Sequence, residues 1–149
     1  MKAGWIGLIL CSGILVTVQA AINAQLRTYV VNPFYSSLIS FVVGTAALLV
    51  IALVSNATGQ TGNWRGATQA PSWLLIGGVL GAIYVTSAIL AIPKIGAGSV
   101  ATSLIVGQLL AALMLDHFGW IGLPRFELTG SRVFGAGLLI LGLWLIQRK

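Results

Sequence analysis

The stretch from Phe34 to Val54, FYSSLISFVVGTAALLVIALV, decides the fold. It carries no charge, and eleven of its residues between Leu38 and Val54 are Leu, Ile, Val or Phe. At roughly 0.3 to 0.6 kcal/mol each on an insertion scale, those eleven favour a bilayer by about 3 to 7 kcal/mol. A helix crosses a hydrocarbon core of about 30 Å with about 20 residues, which is the length of this stretch. It reads as a transmembrane helix that inserts without a partner.

Working outward, the spacing of charges segments the remainder. Lys2 to Arg27 encloses 24 uncharged residues, Arg27 to Arg65 37, Arg65 to Lys94 28, Lys94 to Asp116 21, and Arg132 to Arg148 15. Five helices fit these gaps, at about 3–26, 34–54, 72–92, 95–115 and 133–146, in one transmembrane domain covering 1–149. The fifth is short, about 22 Å at helical rise, so Arg132 and Arg148 are expected to snorkel outward with Trp144 at an interface. Pro33 opens the second helix, and Ile92-Pro93-Lys94 is expected to turn the third tightly into an antiparallel fourth. Two longer loops, 55–71 and 116–131, fall on the same side of the membrane, and the second holds both carboxylates, Asp116 and Glu127.

Composition agrees. Of the 149 residues, 58% are hydrophobic and 7% charged, where a soluble domain carries roughly 25%. The net charge of +6 prompts a nucleic-acid reading, but the eight basic residues lie singly between apolar runs rather than on one basic face. One Cys, one His and two carboxylates supply neither a disulfide framework nor a metal site of usual ligand count, and no cofactor loop or activated nucleophile is present, so the reading is not an enzyme. Lys2, an apolar stretch and Val18-Gln19-Ala20 resemble a signal peptide, but the run is too long and four more spans follow.

Positive residues concentrate on the cytoplasmic side of a membrane protein. With the N-terminus inside, Lys2, Arg65, Arg125 and Arg132 lie in, and Arg27, Lys94, Arg148 and Lys149 lie out. This even split favours dual topology, in which copies insert both ways and pair antiparallel. If the two residues after the last helix count for little, a monomer with its N-terminus inside is the alternative. An inverted pair of five-helix units makes ten helices, the inverted-repeat plan of many secondary transporters. Gly77 with Gly81, Ala20 with Ala24, and Gly135 with Gly142 are small-residue pairs suited to close helix packing, the last pair to a dimer contact.

Polar groups inside the spans are the candidates for a solute site, since hydrocarbon offers them no partners. Ser12, Gln19 and Asn23 share a face of the first helix, and Ser37, Ser40 and Gly44 form a small polar face on the second. Gln108 is the one strongly polar group at depth on the fourth, and Tyr84 offers an aromatic wall on the third. Each can equally serve as interhelical glue. Asp116, beside His117 at the end of the fourth helix, can act as a rim charge coupling a proton to solute movement, or can pair with Arg125 or Arg132. No carboxylate lies mid-membrane.

At these residues the chain resembles the small YdcZ-type inner-membrane proteins of the drug/metabolite transporter superfamily, relatives of the small multidrug resistance transporters. The resemblance runs through Gln19-x3-Asn23-Ala24, Gly44-Thr45, Pro71-x-Trp73 leading to Gly77-Gly78-x2-Gly81-Ala82-x-Tyr84, Pro93-x2-Gly96-Ala97, Gly107-Gln108, Asp116-His117-Phe118-Gly119 and Arg132-x2-Gly135. It implies a five-helix unit, paired or dual-topology assembly, a bacterial inner-membrane location and a role as an exporter. The small multidrug relatives carry a glutamate in their first helix, where this chain has only Gln19 and Asn23. The expected partners are therefore the lipid bilayer, a second copy and a small organic solute. The rival readings are a dual-topology ion channel and a non-transporting scaffold subunit.

Overall fold

A computed structural model describes residues 2–60, 62, 63 and 65–148, and all the regular elements among them are helical. In chain order these are α1 (Lys2–Val30), α2 (Pro33–Ala57), the one-turn α3 (Gly66–Gln69), α4 (Ile76–Phe118) and α5 (Gly130–Gln147), with 3₁₀ turns at Ser72–Leu75 and Trp120–Gly122. Four helical runs are long and apolar enough to cross a membrane. Of the eight basic residues in the charge count, Lys149 lies outside the described residues.

The run from Ser72 to Phe118 has 47 residues, about 70 Å at helical rise and more than twice a bilayer core. It is interrupted at Gly96, whose φ of 80° and ψ of 156° fall in a region open essentially to glycine alone. The interruption leaves segments 76–95 and 97–118, each of about 20 residues and so of spanning length. The expected turn at Ile92-Pro93-Lys94 is therefore corrected. Proline fixes φ near a helical value, so Pro93 stays inside the helix, and the backbone departs only where glycine permits a positive φ.

The chain forms two compact units, Met1–Pro93 and Lys94–Lys149. In the first, α1 packs against α2 across a two-residue link. Val31 adopts φ 60° while its N–H donates to the Arg27 carbonyl at 2.8 Å. This is the left-handed residue that ends many helices, usually a glycine, and for a β-branched residue it costs about 1–2 kcal/mol. Asn32 then caps α2, its side-chain oxygen accepting from the Phe34 N–H at 2.8 Å, with Pro33 in the first helical position. Further along, the Phe41 ring fills the space beside Gly81, 3.5 Å from where a Cβ would stand, whereas Gly77 has nothing within 4 Å.

In the second unit, α5 begins at Gly130, three residues before the expected start. Thr129 caps it, accepting from the Arg132 N–H at 3.4 Å. Its 18 residues span about 27 Å, nearer a full crossing than the expected 22 Å. The Arg132 guanidinium pairs with the Asp116 carboxylate at 2.7 Å, one of the two pairings expected for that carboxylate. Arg148 lies over the Trp144 ring at 3.7 Å, a cation–π pair at the other end of α5. Gln147 donates to the Ser103 hydroxyl at 3.2 Å, tying α5 to segment 97–118. Gly135 and Gly142 have nothing within 4 Å.

Candidate functional site

Because Gln19 and Asn23 are four residues apart on α1, they stand one above the other on a single face. Ser36 and Ser40 have the same relation on α2, in a register set by the Asn32 cap. Where the two faces meet, polar groups gather in an otherwise apolar helix pair. Ser36 is fully buried, and its hydroxyl donates to the Asn23 carbonyl at 2.7 Å. The Asn23 side-chain Nδ2 donates to Ser40 Oγ at 3.1 Å, and Gln19 Nε2 reaches the same oxygen at 3.5 Å. Asn23 is buried, Ser40 half-buried and Gln19 exposed, so the cluster opens outward along α1.

The hydrogen-bond inventory of this cluster is unbalanced. Two amide N–H groups converge on one hydroxyl, leaving the Ser40 proton and both amide oxygens without a partner among the described residues. The cluster thus offers two amide oxygens as acceptors, and the Ser40 hydroxyl proton and the second N–H of each amide as donors, at the mouth of an apolar helix pair. One turn back on α2, the Ser37 and Thr86 hydroxyls lie 2.8 Å apart, and Ser37 also donates to the Pro33 carbonyl at 3.0 Å. That pair joins α2 to segment 76–95 and has no spare capacity of comparable reach.

The remaining candidates make no hydrogen bond to this cluster. The Ser12 hydroxyl bonds back to the Leu8 carbonyl at 3.0 Å, which satisfies it within its own helix. Tyr84 is half-buried and makes no hydrogen bond to the cluster. Gln108 is exposed and belongs to the second unit. Within the first unit, Gln19, Asn23 and Ser40 are the predicted residues that the structure brings together. Ser36 and Thr86 were missed. The four-residue spacing of Ser36 and Ser40 signals a shared face, but a lone Thr86 in an apolar helix carries no such mark.

Asp116 sits in a different environment, at the C-terminal end of α4, where helix carbonyls lack intrahelical partners. The following chain folds back and supplies them. The Phe126 N–H donates to the Asp116 carbonyl at 2.8 Å and Arg125 Nε to the His117 carbonyl at 2.9 Å. Arg132 pairs with the Asp116 carboxylate, and the Leu128 N–H donates to His117 Nδ1 at 3.4 Å. No three His, Cys, Asp or Glu side chains converge among the described residues.

The profile of a family described as "Putative inner membrane exporter, YdcZ" matches residues 4–145. The inner membrane protein YdcZ of Escherichia coli K12 is 28% identical over 141 residues, covering 95% of this chain and 93% of that protein. No solved structure matches the chain. The chain belongs to the YdcZ family.

Proposed function

We propose that this member of the YdcZ family, a multi-pass inner-membrane transporter, exports a small polar or cationic organic solute by alternating access in an antiparallel homodimer. The observation that carries the reading is the open hydrogen-bonding capacity of Gln19, Asn23 and Ser40 inside an apolar helix pair. A carrier needs groups that grip a solute and let it go, and neutral amides do this without the cost of a buried charge. Asp116 serves as a structural rim charge, since Arg132 already occupies it. The even division of basic residues supports the inverted pairing.

Flux in reconstituted vesicles tests the carrier, with labelled primary, tertiary and quaternary amines and neutral amides as probes. Saturable counterflow of one probe class supports it. Ion currents far above about 10³ per second instead support a channel, and absence of flux across the whole panel supports a scaffold. Orientation is tested with Arg65→Cys in a Cys11→Ser background. Dual topology predicts labelling by an impermeant maleimide from both sides of the membrane, and labelling from one side alone refutes it.

A further inference from the structure

The segment after α4 is built inside out for a water-facing loop. Its polar groups turn inward onto the helix end: the Arg125 guanidinium to the His117 carbonyl, Arg132 to the Asp116 carboxylate, and the Phe126 and Leu128 N–H groups to Asp116 O and His117 Nδ1. The Leu123 N–H is also bonded, to the Trp120 carbonyl at 3.2 Å. Its large apolar side chains turn outward instead. Phe118, Trp120, Ile121, Leu123, Phe126 and Leu128 are all exposed, Ile121 to 63%. Phe118 and Trp120 stack on each other with centroids 4.9 Å apart.

The backbone is coiled to permit this. Gly119, Ile121 and Gly122 all have positive φ, at 64°, 60° and 76°. A β-branched residue seldom accepts that conformation, and here the strain leaves an aliphatic side chain without protein cover. Glu127, exposed and without an ion pair among the described residues, marks where the segment returns to water.

We infer that the apolar side chains between Phe118 and Leu128 form a lipid-embedded cap, seated at the boundary between headgroups and acyl chains, with Glu127 on its aqueous edge. The occupant of the exposed apolar face is the bilayer itself, because the segment joins two apolar helices of spanning length and is continuous with their exposed apolar residues, Leu110 and Met114 before it and Val133 and Phe134 after it. Backbone leaves helix in hydrocarbon only where its polar groups are met internally; this segment meets the Leu123, Phe126 and Leu128 N–H groups in that way, which suits the headgroup boundary and not the hydrocarbon centre. A stacked Phe and Trp with outward aliphatic residues is the chemistry that partitions into an interface. The inference does not depend on the solute carried.

Full-length protein with Trp5, Trp64, Trp73 and Trp144 replaced by Phe, reconstituted in phosphatidylcholine vesicles, leaves Trp120 as sole reporter. Lipids brominated near the headgroup are expected to quench it at least about twofold more than acrylamide does. In a second readout with Cys11→Ser and permeabilised vesicles, an impermeant maleimide is expected to label Ile121→Cys at least about tenfold more slowly than Glu127→Cys. Strong acrylamide quenching, equal labelling rates, or absence of lipid quenching because protein covers the face would each overturn the inference.

Discussion

Truncating Asn23 to alanine separates a solute site from helix glue. The substitution removes the 3.1 Å bond from Asn23 Nδ2 to Ser40 Oγ and leaves intact the Ser36 bond, which ends on the Asn23 backbone carbonyl. Hydrogen bonds between membrane helices are worth about 0.6 to 2 kcal/mol. A double-mutant cycle of Asn23→Ala with Ser40→Ala should therefore show a coupling of about 0.6 to 1.7 kcal/mol in unfolding free energy, measured by steric trapping in bicelles. If the same amide also bonds the solute, at about 0.5 to 1.5 kcal/mol, half-saturation of counterflow rises about 2- to 10-fold per folded molecule. Ser36→Ala is the control: it loses a fully buried 2.7 Å bond and so lowers stability, but leaves half-saturation unchanged. A coupling below about 0.3 kcal/mol refutes the bond. Unchanged half-saturation in folded Asn23→Ala refutes the site.

Three further substitutions probe the scaffold. Gly96→Ala forces a Cβ into a conformation open essentially to glycine, and should cost about 1 to 3 kcal/mol, read as a lowered midpoint of thermal aggregation in detergent. Val31→Gly relieves the left-handed strain in the α1–α2 link; after the entropy lost by glycine, a net gain of up to about 1 kcal/mol is expected in the steric-trapping assay. Asp116→Asn breaks a partly exposed ion pair, so stability should fall by less than about 1 kcal/mol and the pH profile of flux should keep its shape. A flattened pH profile in that variant would restore Asp116 as the proton-coupling group.

Charge spacing locates the apolar runs, and the helices continue a few residues past them, for a physical reason. A charge bounds an uncharged run without ending the helix: Arg27 stands in the last turn of α1 and Arg132 in the first turn of α5. Long basic side chains fit inside a helix end when a carboxylate or an interface receives the guanidinium, and the sequence carries no direct record of that partner. The break at Gly96 was misread for a similar reason: proline is the louder signal, but only glycine can reverse φ. For the site, four-residue spacing on α1 made Gln19 and Asn23 legible as one face. Their partner on α2 depended on the cap at Asn32 and the strained Val31, which set the register between helices and leave little trace in periodicity.

That register also separates two kinds of hydrogen bond within one helix pair. The Ser36 bond to the Asn23 carbonyl and the Ser37–Thr86 pair are short, at 2.7 and 2.8 Å, and involve buried hydroxyls. The bonds converging on Ser40 are longer, at 3.1 and 3.5 Å, and open toward the exposed Gln19. Breaking a buried bond leaves a desolvated group unpaired, which costs about 1 to 3 kcal/mol, whereas an accessible amide can exchange its partner for water or solute at little net cost. The Ser36 bond therefore holds α1 to α2 and the Ser37–Thr86 pair holds α2 to segment 76–95, while the longer bonds at Ser40 are freer to change partners. Such a division suits a carrier, because the short Ser36 bond keeps the helix pair together while the longer amide–hydroxyl bonds at Ser40 exchange partners.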